Sequence, residues 1–153
     1  MSGDPVIFQL DSAVDGLALA RRWVEMRRPG GFLNTLAIFP VEVARGRMRL
    51  ACDVDVRHSN FVKLVHGGAI SALVDVAGGG AAMTLLRPGE TLLTTDLNVR
   101  FLDAAPIERG QLHAEGRVTY HTARKVVVSV DIAGDDGATV AQGSVGVSIR
   151  APR

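Results

Sequence analysis

The fold can be predicted from one segment, GGAISALVDVAGGGAAMTLL, residues 67–86. It consists of small and apolar residues interrupted by one charge, Asp75, and the run Arg87-Pro88-Gly89 follows it. Its length and the Pro-Gly stop predict one long helix over 67–86. Because this helix is apolar on nearly every side, it has to be enclosed by a sheet, or by a sheet and a partner chain.

The same segment is long enough to cross a bilayer, and its small residues resemble packing positions of membrane helices. Two observations favour a buried helix instead. Asp75 near the centre would cost about 3 kcal/mol at mid-bilayer, and the rest of the chain alternates like the strands of a soluble domain. The glycines at 78–80 each cost about 1 kcal/mol in a helix, so we expect close approach of a sheet or of a second helix there.

Alternating apolar and polar residues on both sides of this helix predict strands. A hairpin precedes the helix and four strand-like runs follow it: 38–43, 48–56, 91–102, 110–120, 125–133 and 139–149. The turns between the later runs favour consecutive hairpins and therefore an antiparallel sheet. The predicted fold class is α+β, with a curved antiparallel sheet of about six strands around one long helix.

The first 28 residues carry apolar side chains at helical spacing, and Pro29-Gly30-Gly31 stops any helix. We expect an N-terminal helix packed on the main domain. The predicted division is an extension over 1–31 and a main domain over 32–153.

Composition excludes several classes of protein. The chain has 153 residues with a net charge of +1 and seven aromatic residues (one Trp, one Tyr, five Phe), so a nucleic-acid or membrane-surface partner is not expected. A single cysteine, Cys52, can form neither an intramolecular disulfide nor a zinc cluster. Residues 1–10 lack a basic segment followed by an apolar one, which predicts a cytoplasmic protein.

Polar residues around the long helix are the candidates for chemistry. Asn60 and His66 precede it, Asp75 lies inside it, and Thr94 follows on the next strand. An acid within an apolar helix is seldom tolerated unless it is paired, protonated or used. The remaining histidines, His58, His113 and His121, have no metal-ligand spacing, and we expect no metal site.

Asn60, the run His66-Gly67-Gly68, Asp75 and the strand at 94–102 together resemble the hotdog-fold acyl-CoA thioesterases of the phenylacetate-pathway type. The resemblance covers roughly residues 32–149. It implies a long helix wrapped by an antiparallel sheet, assembly as a homodimer or a dimer of dimers (a homotetramer), an acyl-CoA substrate and no cofactor. The chain departs from many members in lacking a glycine at 61–65, and its glycine triplet at 78–80 is unusual, which puts the acyl preference in doubt.

The resemblance also implies roles for individual residues. Gly67 would begin the helix and offer its N–H to the thioester carbonyl, at the positive end of the helix dipole. Asp75 would act as a nucleophile or as a general base on water. Asn60 and His66 would orient the thioester and its leaving sulfur, and Thr94 would hold the water or the carboxylate. The predicted substrate contacts are Gly68, Thr95, Arg124 and Lys125, the last two through the phosphates of CoA.

Nine residues of helix place Asp75 roughly opposite His66 and about 13 Å along the axis. We therefore expect a site shared between two subunits, with Asp75 of one facing Asn60, His66 and Gly67 of the other. The predicted activity is hydrolysis of an aromatic or medium-chain acyl-CoA to the free acid and CoA.

Two alternatives remain open. One is a hotdog hydratase acting on enoyl thioesters, a class that resembles an Asp followed five residues later by a His. Here Asp55 is followed at that distance by Asn60. The other is a non-catalytic acyl-CoA-binding protein, against which the intact Asp75 argues.

Overall fold

The computed structural model describes residues 11–28 and 30–152. Within these residues, three helices and six strands follow one another: α1 Gly16–Met26, α2 Gly31–Thr35, β1 Ile38–Ala44, β2 Arg47–Asp53, α3 Gly67–Met83, β3 Thr91–Phe101, β4 Gln111–His121, β5 Lys125–Gly134 and β6 Thr139–Arg150. Short 3-10 turns lie at Val56–His58 and Ile107–Arg109. The predictions about a leader at 1–10, and the cytoplasmic location inferred from it, fall outside the described residues.

The six strands form one antiparallel sheet in the order β1-β2-β4-β5-β6-β3. The α+β class, with a long helix against a curved sheet, is confirmed. The prediction that each strand after the helix pairs with the next one is wrong for β3 and β4. β3 pairs with β6, and β4 pairs with β2. The connection over 102–110 is longer than the turns that force neighbouring strands to pair, so β3 is free to lie at the edge.

The long helix α3 lies against five of the six strands, β2 through β6. Its sheet-facing residues include Leu73, Val74 and Ala77, which are 1% exposed or less. The helix ends at Met83, three residues earlier than predicted, with Thr84 as its C-cap. The apolar share of the sequence is therefore concentrated where helix and sheet meet, and this contact forms the core.

Two glycines of the triplet allow the close approach that we predicted. A Cβ added at Gly78 would lie 2.4 Å from Val145 Cγ2 on β6, and one at Gly80 would lie 2.9 Å from Met48 Cγ on β2. Neither distance is compatible with a side chain, so these positions require glycine. Gly79 differs, because its added Cβ meets nothing within 4 Å.

The N-terminal helix α1 packs on the main domain as predicted, through the buried side chains of Leu19 and Trp23. Asp15 caps it by accepting from Ala18 N (2.9 Å). The short helix α2 was not predicted. It lies at the predicted boundary between extension and main domain, and that boundary stays a prediction.

The buried hydroxyl of Thr84 ties the β1–β2 hairpin to the end of α3. It accepts a hydrogen bond from Gly46 N in the hairpin turn (2.7 Å) and donates one to Ala81 O (2.7 Å). Thr84 is 0% exposed. The hairpin is thus anchored on the helix by a polar contact that an apolar side chain cannot replace.

We predict that Thr84→Val lowers the free energy of unfolding by about 1–2 kcal/mol, because the Gly46 N–H loses its acceptor. Denaturant titration measures the change. Thr35→Val is the matched control: Thr35 is exposed, its hydroxyl donates to Gly31 O at 3.3 Å, and we expect a change below about 0.5 kcal/mol. Equal effects of the two substitutions would contradict the anchoring role.

Candidate active site

The start of α3 leaves one backbone donor unused. His66 is the N-cap, its Nδ1 accepts from Gly68 N (2.9 Å), and its carbonyl accepts from Ala69 N (2.9 Å) and Ile70 N (3.2 Å). Among the described residues, Gly67 N–H has no acceptor. This free N–H lies at the positive end of a 17-residue helix, where it can bind a developing negative charge.

The helix cap also determines which nitrogen of the His66 ring is available to a ligand. Because Nδ1 accepts from a backbone N–H, the neutral ring carries its hydrogen on Nε2. The side chain is exposed, so the Nε2–H is available to a ligand. In this state His66 is therefore a hydrogen-bond donor through Nε2.

Asn60 holds the loop that leads to His66. Its Oδ1 accepts from Val62 N (2.9 Å) and from Leu64 N (3.0 Å), and its own N–H donates to Leu64 O (2.8 Å). Since Oδ1 is used twice inside the loop, the amide NH2 is the part left for a ligand. The segment from Asn60 to Gly67 thus presents donors from three successive predicted site residues.

Asp75 lies half-buried on α3 and faces the edge strand β3. Its Oδ1 accepts from Thr94 Oγ1 at 2.8 Å, while Oδ2 has no hydrogen-bond partner among the described residues. The hydroxyl holds the carboxylate in one orientation and leaves the second oxygen free. The structure thus brings Asp75 and Thr94 into direct contact.

Thr95 lies next to Thr94 in sequence but has different partners. The register of β3 against β6 shifts between Thr94 and Asp96, a bulge that re-aims the side chains. The hydroxyl of Thr95 donates to Asp96 Oδ2 (2.8 Å) and accepts from Lys125 Nζ (3.0 Å). The Thr95 hydrogen bond and then Lys125 hold the pKa of Asp96 below its usual value. The structure does not bring Thr95 or Lys125 to Asp75 of the same chain.

The other predicted substrate contacts lie apart. Arg124 is exposed in the turn between β4 and β5 and has no ion-pair partner among the described residues. Gly68 lies on the first turn of α3, where an added Cβ would come 3.1 Å from His66 Nδ1. Glycine at 68 therefore leaves room for the imidazole cap.

Phe101 at the end of β3 was not among the predicted site residues. Its ring covers the start of α3, and a Cβ added at Gly67 would lie 3.1 Å from Phe101 Cζ. Phe101 itself is 55% exposed. No local sequence signal marks it, because an aromatic residue at a strand end is ordinary.

Cys52 and His58 form a pair that could be mistaken for a nucleophilic dyad. Cys52 Sγ lies 3.8 Å from His58 Nε2. However, His58 Nδ1 accepts from Asp55 N (3.1 Å), so Nε2 carries the hydrogen, which points to Leu36 O (2.8 Å). Burial, and secondarily the charge of Asp53, raises the pKa of the Cys52 thiol to about 12. A histidine that already donates cannot accept the thiol proton, so the pair is structural.

We predict that Cys52 does not react with an aromatic disulfide reagent at pH 8 in the folded protein, because both its burial and its raised pKa suppress the thiolate. Absorbance of the released thiol measures this. In denaturant, one thiol per chain should react within minutes. Rapid reaction of the folded protein would contradict the structural assignment.

The described residues contain no group of three His, Cys, Asp or Glu side chains that could hold a metal ion. His113 Nε2 instead lies 2.6 Å from Asp135 Oδ1, and His121 is exposed at the end of β4. Nor is any described helix long and apolar enough to cross a membrane.

A curved antiparallel sheet of six strands against one long helix is the hotdog fold. Residues 63–141 match the model of the Thioesterase superfamily, and the chain belongs to that family. Membership supports hydrolase activity in general.

Individual relatives agree with this assignment. A protein of Saccharolobus solfataricus, provisionally named an esterase, is 31% identical over 74 residues, which are 48% of this chain and 51% of the relative. The match thus spans about half of that relative's length. Among solved structures, the PaaI protein of the E. coli phenylacetic acid degradation operon superposes with a TM-score of 0.76 at 19% identity, covering 87% of this chain and 94% of that one.

A hypothetical thioesterase of Streptococcus pneumoniae, solved with coenzyme A, superposes with a TM-score of 0.68 at 20% identity, covering 76% and 88% of the two chains. At these identities the two solved structures establish the shared fold.

Proposed function

We propose that this protein is an acyl-CoA thioesterase of the phenylacetate-pathway type, which hydrolyses an aromatic or medium-chain acyl-CoA to the free acid and CoA. The observation that carries the proposal is the Asp75 carboxylate, held at one oxygen by Thr94 and free at the other. The family supports thioester hydrolysis, and the CoA complex of a structural neighbour supports CoA as the carrier.

The donors at the start of α3 would act on the thioester. Gly67 N–H, unpaired and at the positive helix end, would bind the carbonyl oxygen and stabilise the charge that develops there. The Nε2–H of His66 and the amide NH2 of Asn60 would donate to the thioester and to the leaving sulfur. All three groups donate and none accepts, which suits a site where negative charge appears.

Asp75 would supply the attack in one of two ways. As a nucleophile, its free Oδ2 bonds to the carbonyl carbon, the C–S bond breaks, and water then hydrolyses the resulting anhydride. As a general base, Oδ2 takes a proton from water, whose oxygen bonds to the same carbon while CoA leaves as the thiolate and is then protonated. In both, Thr94 keeps Oδ1 fixed so that Oδ2 faces the substrate.

One chain cannot provide both halves of this site. Gly67 and Asp75 are eight residues apart on one continuous helix, about 12 Å along its axis. A donor reaches the carbonyl oxygen at about 3 Å and a nucleophile reaches the carbon at about 3.5 Å, so both must lie within about 7 Å of each other. We therefore propose that Asp75 of one subunit faces Asn60, His66 and Gly67 of another.

The edge strand β3 supports a second copy as the partner. β3 spans 11 residues and, within the part of the chain that the structure describes, pairs only on its β6 side, so one row of its backbone groups is open there. Leu97 and Phe101, on its α3-facing side, are 42% and 55% exposed. Pairing of β3 with a second β3 would satisfy the open edge and cover these side chains, giving a homodimer or a dimer of dimers.

The phosphates of CoA need cations near the thioester. Lys125 is held by Asp96 at 3.1 Å, whereas Arg124 has no ion-pair partner among the described residues. Arg124 is therefore the stronger candidate of the two. Lys125 would contribute only by exchanging Asp96 for the ligand.

The hydratase alternative is disfavoured by the state of Asp55. Its two carboxylate oxygens accept from the Arg57 guanidinium at 2.6–3.0 Å, and one of them also accepts from Arg57 N (2.9 Å). These hydrogen bonds hold the pKa of Asp55 well below its usual range. A carboxylate committed to a loop in this way is poorly placed to move a proton on a substrate.

We predict that Asp75→Asn lowers kcat by about a thousandfold or more, and that Thr94→Val lowers it by about ten- to a hundredfold, because the first removes the attacking oxygen and the second frees its orientation. Release of free thiol from a panel of acyl-CoAs measures both. Asp131→Asn is the matched control, an exposed carboxylate on β5 that accepts from Gln142 (2.8 Å). It should stay within about twofold of the wild type.

Thiol release that is unchanged in Asp75→Asn would contradict the catalytic assignment. Tight binding of acyl-CoA without any release by the wild type would instead favour the non-catalytic binding protein. Hydration of an enoyl-CoA without thiol release would favour the hydratase.

A further inference from the structure

Gly79 on α3 is the one member of the glycine triplet that the packing of the chain does not explain. Its neighbours Gly78 and Gly80 lie against Val145 and Met48, where a Cβ would clash. A Cβ added at Gly79 meets no atom within 4 Å outside its own stretch of helix. Its backbone is helical, with no positive φ to require glycine.

Glycine at position 79 lowers the stability of the helix relative to alanine. In a helix interior glycine is less favourable than alanine, and the space around Gly79 would accept a methyl group. Stability of the single chain would therefore be better served by alanine. A requirement outside the single chain's own packing must favour the empty position.

The position of Gly79 relative to Asp75 indicates what that requirement is. Gly79 follows Asp75 by four residues, one helical turn, so the two lie on the same face. Side chains on a helix lean toward its N-terminus and cover the preceding turn. A side chain longer than that of alanine at 79 would therefore extend toward the carboxylate whose Oδ2 is free, whereas an alanine Cβ has no side-chain atom of Asp75 within 4 Å.

We propose that Gly79 is a specificity-determining residue, which keeps open the space beside Asp75 for acyl groups that carry an aromatic ring or a branch within two or three carbons of the thioester carbonyl. One helical turn, about 5.4 Å, is the length over which such a group extends from the carbon that Asp75 attacks. Val76 and Ala72, apolar and half-buried, precede Gly79 by three and seven residues and so share its face of α3. This inference rests on the proposed function.

The test compares Gly79→Ala and Gly79→Leu with the wild type, using phenylacetyl-CoA and acetyl-CoA in the thiol-release assay. We expect kcat/KM for phenylacetyl-CoA to fall about tenfold in Gly79→Ala and about a hundredfold in Gly79→Leu, while acetyl-CoA changes by less than about threefold. The readout is the ratio of the two substrates, which a general loss of folded protein would leave unchanged.

Gly78→Ala is the matched control for stability. Its added Cβ would lie 2.4 Å from Val145, so its Tm should fall, whereas the Tm of Gly79→Ala should stay the same or rise. Size-exclusion chromatography of Gly79→Ala should show the same assembly as the wild type.

Three results would overturn the inference. An unchanged substrate ratio in both Gly79 variants, with Asp75→Asn still inactive, would show that the acyl group lies elsewhere and would leave the proposed function intact. A lower Tm or a lost assembly in Gly79→Ala would show that a second subunit fills the space. Absence of thiol release from the wild type with every acyl-CoA would overturn the proposed function and this inference together.

Discussion

The contact between α3 and the sheet is the constraint on which the rest of the structure depends. A helix with apolar residues on nearly every side is stable in water only when it is enclosed, and here five strands curve around it. Gly78 and Gly80 allow the sheet to approach the helix backbone, and Thr84 fixes the hairpin at its end. The polar side chains of α3 therefore occupy half-buried positions: Ser71 donates to Gly67 O, and Asp75 accepts from Thr94 on the edge strand β3.

That arrangement positions the candidate site residues. At the start of the helix, the His66 cap uses the Gly68 N–H and leaves the Gly67 N–H free. Two turns further along the helix, the edge strand β3 supplies the Thr94 hydroxyl that holds Asp75. In the function that we propose, the oxyanion donor Gly67 and the attacking acid Asp75 belong to the same helix, eight residues apart along it.

Much of the fold could be predicted from the sequence, because helix and strand periods are local signals. The α3 segment, the strands and the antiparallel class follow from them. The place of β3 could not be predicted, since a strand has the same alternation whether it pairs with β4 or with β6. The long 102–110 connection was the available clue. The predicted helix was three residues longer than α3, because apolar side chains continue past the Thr84 cap.

The sequence offers a set of candidate site residues, whose roles stay a prediction, and it does not reveal their geometry. Thr94 and Thr95 look equivalent in the sequence. Because of a bulge in β3, Thr94 contacts Asp75 whereas Thr95 contacts Lys125. The roles of Asn60 and His66 as donors depend on which of their atoms the loop and the helix cap already use, which no pattern of residue types reveals.

We propose that one active site is built from two chains. A mixed dimer of two inactive variants tests this sharing directly. Asp75→Asn and His66→Ala chains carrying different tags are co-expressed, and the dimer that contains one of each is purified. Both homodimers should be inactive, while the mixed dimer should regain about the activity of one intact site, because Asp75 of one chain meets His66 of the other. No recovery in a folded mixed dimer would contradict the account.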